Sequence, residues 1–127
     1  MKKQDLPLSP HLQIYKPQIT SLLSISHRIS GVALNFVLVI LVLGLLCITL
    51  GESYFELLIS LITFFPIKII IFLAILGFSY HFLNGIRHII WDFGFLLGNR
   101  SSAIFGYIII ATSFISSIFI SRLLGLF

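Results

Sequence analysis

Charged side chains are scarce in this chain. It has eight Lys and Arg and four Asp and Glu among 127 residues, so that charged residues are 9% of the composition and hydrophobic residues 58%. A soluble domain of this size needs more charge to give its apolar core a water-compatible surface. The composition therefore excludes an ordinary soluble domain and predicts an all-α membrane protein. It forms one small unit, too short to include a separate catalytic domain.

Cysteine is almost absent as well, since Cys47 is the only one. A single cysteine excludes a disulfide within the chain and a metal site built from several thiolates. The formal net charge is +4. In a membrane protein the distribution of this charge determines topology, so we expect lipid contacts and no nucleic acid partner.

Three apolar stretches are long enough to cross a hydrocarbon core of about 30 Å, which needs about 20 helical residues. Helix-breaking residues such as Gly51, Pro66 and Gly98 lie between them. The predicted organisation is an amino-terminal segment at 1–20, transmembrane helices at 21–50, 66–92 and 101–124, and a short interfacial helix at 52–65. Alternatively, 52–65 extends the second transmembrane helix, with a kink at Pro66.

Basic residues predict how these helices are oriented. Lys and Arg residues precede the first helix and flank the second connection, whereas the first connection contains two glutamates: Lys2, Lys3, Lys16, Arg28; Arg87, Arg100; Glu52, Glu56. Loops rich in Lys and Arg stay on the cytoplasmic side of a membrane. We therefore expect the amino terminus and the second connection on the cytoplasmic or matrix side.

His81 lies within the second predicted membrane helix. An ionisable residue there is a candidate functional residue, and a neutral imidazole has a lone pair that can bind haem iron. The alternative is a hydrogen bond between helices. His88 lies about 10 Å further along the axis, so the two histidines cannot bind one iron. Gly77 and Gly85, one turn on either side of His81, leave room for a flat macrocycle or a close helix.

A second polar cluster lies at the inner edge of the first helix. Ser24, His27 and Arg28 are spaced three and four residues apart and share a helical face. His27, Arg28 and His88 could pair with haem propionates, and Ser24 and Arg28 could donate to a quinone carbonyl. Alternatively, Ser24 only caps or back-bonds within the helix, and Arg28 only determines topology.

Three segments, in this order, resemble the signature segments of the succinate dehydrogenase cytochrome b subunit family, the large membrane anchor of respiratory complex II. They are Leu8-Ser-Pro-His11-Leu-Gln-Ile-Tyr15, Ser24-Ile-Ser-His27-Arg28-Ile-Ser-Gly31 and His81-Phe-Leu-Asn-Gly85-Ile-Arg87-His88-Ile-Ile-Trp-Asp92. The resemblance extends from Leu8 to about Gly94, and the third helix contains no motif. It implies three transmembrane helices that form part of a heteromeric helix bundle in the mitochondrial inner membrane or the bacterial inner membrane.

The resemblance also implies roles for individual residues. His81 would be one axial ligand of a haem b, and a histidine of a second, small membrane anchor subunit would be the other. Ser24 and Arg28 would bind ubiquinone, while His27, Arg28 and His88 would lie near the haem propionates. His11 and Tyr15, in the amino-terminal segment, match the family pattern and could dock the soluble partner.

The resemblance implies an electron path through several chains. Succinate would be oxidised on a flavoprotein subunit, and its electrons would pass through an iron–sulfur subunit to ubiquinone. This chain would then be a subunit of that enzyme and would itself oxidise no succinate. Two rival hypotheses are a cytochrome that ligates haem with two of its own histidines, and a haem-free structural anchor or small transport subunit.

Overall fold

The computed structural model describes residues 17–127, which form helices and no strand. The helices are α1 (Ile19–Thr49), α2 (Glu52–Thr63), α3 (Phe65–Asp92) and α4 (Asn99–Leu123). α1, α3 and α4 are long and apolar enough to cross a membrane. The prediction of an all-α fold with three candidate membrane spans is confirmed. His11 and Tyr15 lie outside the described residues, so their docking role stays a prediction.

Short breaks separate the first three helices. Gly51 follows α1 with φ 116°, a conformation that residues with a Cβ rarely adopt. Phe64 has extended backbone, with ψ 124°, and separates α2 from α3. Pro66 lies in the first turn of α3, where its missing N–H leaves no helical hydrogen bond unmade. α2 is thus a helix of its own, and its location at a membrane interface stays a prediction.

The three long helices alternate in direction. The Tyr80 hydroxyl near the middle of α3 donates to the Leu23 carbonyl near the start of α1, over 2.7 Å. Arg87, near the end of α3, donates to the Ser102 carbonyl near the start of α4. The starts of α1 and α4 and the end of α3 therefore lie together, at what we call the N-terminal end of the bundle. α3 packs against both α1 and α4.

The interior of the described chain is more polar than its surface. Among residues 17–127, only Leu23, Ile109 and Leu126 are buried hydrophobic residues, whereas the buried polar residues are Ser79, Asn84, Arg87, Ser102, Ser113, Ser117 and Ser121. The most apolar 18-residue window of α1 has no buried residue. This arrangement is the reverse of a soluble protein and is suited to apolar surroundings, in which polar groups must find partners inside the protein.

Small residues let α4 pack closely in the bundle. Its buried face consists of Ser102, Gly106, Ile109, Ser113, Ser117 and Ser121. The Ser113 and Ser117 hydroxyls donate to carbonyls four residues earlier in α4, over 2.6 and 2.5 Å, so they need no partner from another helix. Small side chains that satisfy themselves in this way are typical of close helix contacts in membranes. The regular spacing of small residues along α4 is visible in the sequence and could have predicted this close contact, although no motif was assigned to the helix.

We predict that Gly106→Ala destabilises the bundle. A Cβ at Gly106 would overlap Leu23 Cδ1, and Leu23 is only 3% exposed, so it has little room to turn away. Overpacking of this kind costs about 1–3 kcal/mol. The measurement is the free energy of unfolding of the purified protein in detergent.

Gly44→Ala is the matched control for this substitution. A Cβ at Gly44 would meet only Leu58 Cδ1, at an ordinary 3.9 Å. We expect no loss of stability there. Equal effects of the two substitutions would show that the contact between Leu23 and Gly106 does not limit the packing of α1 on α4.

Candidate functional site

His81 is held between α3 and α1 by its Nδ1 atom. Nδ1 lies 3.1 Å from Ser30 Oγ and 3.1 Å from the His27 carbonyl oxygen. The Ser30 hydroxyl donates its own hydrogen to the same carbonyl, over 2.8 Å, so its oxygen can only accept from His81. Both neighbours are therefore acceptors, and Nδ1 is the protonated nitrogen. The lone pair of a neutral His81 then lies on Nε2.

Glycine in α1 makes room for this imidazole. A Cβ at Gly31 would lie 2.9 Å from His81 Cε1, closer than real Cβ atoms approach. On α3, a Cβ at Gly85 would meet His27 Cε1 at 3.8 Å, and one at Gly77 would meet nothing within 4 Å. Of the two glycines that the sequence singled out, Gly85 therefore faces a histidine of α1, whereas a Cβ at Gly77 would meet no described residue within 4 Å.

The rings of three histidines contact one another through His27. The His27 and His81 rings are stacked, with centroids 4.0 Å apart and planes within 9°. The centroid of His88 lies 5.2 Å from that of His27. Sequence spacing placed His27 at the inner edge of the first helix, but its ring lies against the deeper His81. His27 Nδ1 is buried without a hydrogen-bond partner among residues 17–127.

The stacked geometry bears on the rival hypothesis of a cytochrome with both haem ligands in one chain. Axial ligands approach an iron nitrogen first and from opposite sides. Two rings stacked face to face at 4.0 Å leave no space for an iron between them. His27 is therefore not placed to complete the coordination of an iron bound by His81. His88 lies seven residues further along α3, about two turns away.

Arg87 is fully buried within the bundle. Its guanidinium donates to the Ser102 carbonyl and hydroxyl oxygens at 3.2 and 3.0 Å, and to Asn84 Oδ1 at 3.3 Å. Its Cζ lies 4.0 Å from the centroid of the Trp91 ring. Polar partners on α3 and α4 hold the Arg87 side chain inside the bundle, and its interpretation as a basic flank of the second connection stays a prediction.

Ser24 and Arg28 line one open depression of about 380 Å³ at the N-terminal end of the bundle. Ser24 is half-buried and Arg28 is exposed. The remaining lining residues are Thr20, Ser21 and Ile25 of α1 and Trp91 of α3. A hydroxyl and a guanidinium beside apolar side chains can orient a ligand that has a carbonyl oxygen and a flat apolar body.

Sequence reasoning missed several residues of this region. Ser30 and Gly31 follow His27 by three and four residues, so helical spacing alone could have placed them beside it. Trp91 follows His88 by three residues, which is the same signal on α3. The burial of Arg87 depends on α4, and nothing in the local sequence of α3 reports that contact.

Comparison with known proteins identifies similar chains. The sequence profile of the family described as "Succinate dehydrogenase/Fumarate reductase transmembrane subunit" matches residues 2–120. The chain is 44% identical over 107 residues to the succinate dehydrogenase cytochrome b556 subunit of Rickettsia typhi, covering 84% of this chain and 83% of that protein. It is 44% identical over 104 residues to the cytochrome b560 subunit of Chondrus crispus, covering 76% and 78%.

We predict that Gly31→Ala displaces His81, because the added methyl group and the imidazole cannot occupy the same space. If His81 binds haem iron, as the resemblance implies, the substitution lowers the b-type absorption of the purified complex. Gly44→Ala is the control, since among the described residues its methyl group would meet only Leu58, at an ordinary distance. Full absorption in the Gly31 variant would mean that this close approach does not position His81.

Proposed function

The chain belongs to the succinate dehydrogenase/fumarate reductase transmembrane subunit family, and from this premise we propose that it supplies one axial ligand to a haem b and part of a ubiquinone site. As a family member it is a membrane subunit of an enzyme complex. The observation that carries the proposal is the hydrogen bonding of His81, which leaves Nε2 with the lone pair.

His81 fits the role of an iron ligand. A histidine that binds a metal usually donates its other ring N–H to a carbonyl or carboxylate, which sets the tautomer and raises the basicity of the ligand nitrogen. Here the His27 carbonyl and the Ser30 hydroxyl accept from Nδ1. When bound, a haem b supplies a one-electron redox centre. The second axial histidine belongs to a second, small membrane anchor subunit.

His27, Arg28 and His88 are the proposed partners of the haem propionates. An unpaired carboxylate is expensive in apolar surroundings, so it needs cationic or hydrogen-bonding neighbours. The buried Nδ1 of His27 lacks a partner among the described residues, and an acceptor from outside the chain would satisfy it. Gly77 and Gly85 keep their proposed role of leaving space on the same face of α3.

Ser24 and Arg28 are the proposed quinone-binding residues. They line the same depression, and no hydrogen bond or ion pair to another described residue occupies the Arg28 guanidinium. Donors of this kind orient a quinone carbonyl and stabilise the negative charge that develops on its oxygen during reduction. A serine and an always-charged arginine are poor acids, so a partner chain supplies the protons.

The proposed partners follow from this division of roles. A flavoprotein subunit oxidises succinate, and an iron–sulfur subunit passes the electrons to ubiquinone at the N-terminal end of the bundle. We propose that this end faces the cytoplasm or the mitochondrial matrix. The exposed apolar faces of α1 and α3 contact lipid and the second anchor subunit.

We predict that His81→Gly abolishes the low-spin b-type absorption of the purified complex, because the iron loses an axial ligand. Added imidazole should restore the signal if the complex has assembled, since it can fill the space of the missing ring. Ser30→Ala is the graded variant. It should keep the haem but raise its reduction potential, because loss of one acceptor at Nδ1 lowers the basicity of the ligand nitrogen.

An unchanged b-type spectrum in His81→Gly without imidazole would refute the ligand assignment. A complex that contains no haem even before substitution would favour the rival hypothesis of a structural anchor. These two outcomes are distinguished by the spectrum of the unsubstituted complex.

We predict that Ser24→Ala and Arg28→Ala each slow the reduction of ubiquinone by succinate. Loss of a hydrogen bond to a charged oxygen corresponds to about a 10-fold to 100-fold effect for Arg28 and a smaller one for Ser24. Succinate oxidation with an artificial acceptor that bypasses the quinone should be unaffected. The measurement compares the two activities in the same preparation.

Ser26→Ala is the matched control, because Ser26 lies on α1 two residues from Ser24 but lines a different cavity, beside Tyr80 and Ser113. Normal quinone kinetics in this variant would show that losing a hydroxyl elsewhere in this part of α1 does not slow quinone reduction. Unchanged quinone kinetics in both the Ser24 and the Arg28 variants would contradict the proposed quinone site.

A further inference from the structure

Trp91 is the α3 residue in the depression that also contains Ser24 and Arg28. The five other lining residues belong to a single stretch of α1, at 20–28. The depression is therefore formed where the start of α1 meets the end of α3. Trp91 is a large flat side chain that lines the same depression as Ser24 and Arg28 of α1.

Contacts with two neighbouring side chains of α3 hold the indole of Trp91 in place. The Arg87 Cζ lies 4.0 Å from the ring centroid, and the His88 ring meets the indole edge to face, with centroids 5.1 Å apart. Trp91 Nε1 is buried and has no acceptor among residues 17–127. A buried indole usually finds one, so here the orientation of the ring depends on its two neighbours on α3.

Arg87 is itself fixed in the bundle. It is fully buried, and two of its nitrogens donate to Asn84 and to Ser102 of α4. These bonds set the plane of the guanidinium, and a planar, delocalised cation can stack on an aromatic face as a lysine ammonium cannot. The orientation of Trp91, and with it the shape of the depression, therefore depends on the contact between Arg87 and α4.

We propose that Trp91 binds the ring of the quinone as one wall of its site, and that Arg87 is the positioning residue that orients the indole. The inference rests on the proposed quinone site and adds two residues to it. Ser24 and Arg28 bind the carbonyl oxygen, while the indole supplies the flat apolar surface on which the ring lies. Asn84 and Ser102 act only through Arg87.

The experiment measures KM and kcat for a short-chain ubiquinone in the assembled complex. Trp91→Leu should raise KM by about 3-fold to 10-fold and leave kcat within about 2-fold, because an aromatic wall contributes mainly to binding. Trp91→Phe keeps a flat ring and should restore most of the affinity. Arg87→Lys keeps the charge but loses the stacked plane, so it should raise KM in the same way.

Phe93→Ala is the control at the same end of the bundle. Phe93 is 75% exposed and does not line the depression. It should leave KM unchanged, whereas a similar rise there would attribute the Trp91 effect to a general loss of aromatic surface and overturn the proposal. If Arg87→Lys does not assemble, Ser102→Ala replaces it, because this substitution removes only the shorter of the two Ser102 contacts with the guanidinium.

The outcomes separate this inference from the proposed function. Normal KM in Trp91→Leu, together with impaired Ser24 and Arg28 variants, would overturn the role of Trp91 and leave the quinone site in place. A raised KM in Trp91→Leu but not in Arg87→Lys or Ser102→Ala would overturn the positioning role of Arg87. Normal quinone kinetics in the Ser24 and Arg28 variants would contradict the proposed function, whatever the Trp91 variants do.

Discussion

A buried guanidinium is the interaction on which the N-terminal end of the bundle depends. Arg87 is 0% exposed in a chain whose outer surface is mostly apolar. In such surroundings a cation is stable only if protein groups replace water. Asn84 and Ser102 accept from two of the three guanidinium nitrogens, while Nε has no partner among the described residues. Ser102 must therefore lie next to the last turns of α3. The small residues of α4 permit that approach. A Cβ at Gly106 would overlap Leu23 of α1 and would lie 3.8 Å from a nitrogen of the Arg87 guanidinium.

The same requirement explains the geometry around His81. Its Nδ1 hydrogen cannot go to water, so the Ser30 hydroxyl and the His27 carbonyl accept it, and Gly31 allows α1 to come close enough. The choice of tautomer is therefore a consequence of helix packing. A nitrogen with a free lone pair is left over, and this is the chemical property that an iron ligand needs.

The sequence predicted the parts of this structure that depend on local patterns. Apolar length identified the three long helices, and helical spacing put Ser24 and Arg28 on one face and separated His81 from His88. It did not predict contacts between helices. Arg87 has the pattern of a charged helix end, and only its packing on α4 reveals that it is buried. The stacking of His27 on His81 likewise depends on the relative depth of α1 and α3, which spacing within either helix does not set.

The proposed haem site at His81 and the proposed quinone site at Ser24 and Arg28 are built in the same way. Each has hydrogen-bonding groups on α1 and an aromatic or ligating residue on α3. The depression beside Ser24 is open, and the most apolar window of α1 has no buried residue. Water at either site would compete for the same hydrogen bonds and weaken them. We expect lipid or other subunits to supply the covering surfaces, so that each proposed site is complete only in the assembled complex, although its hydrogen-bonding groups on α1 are already positioned within this chain.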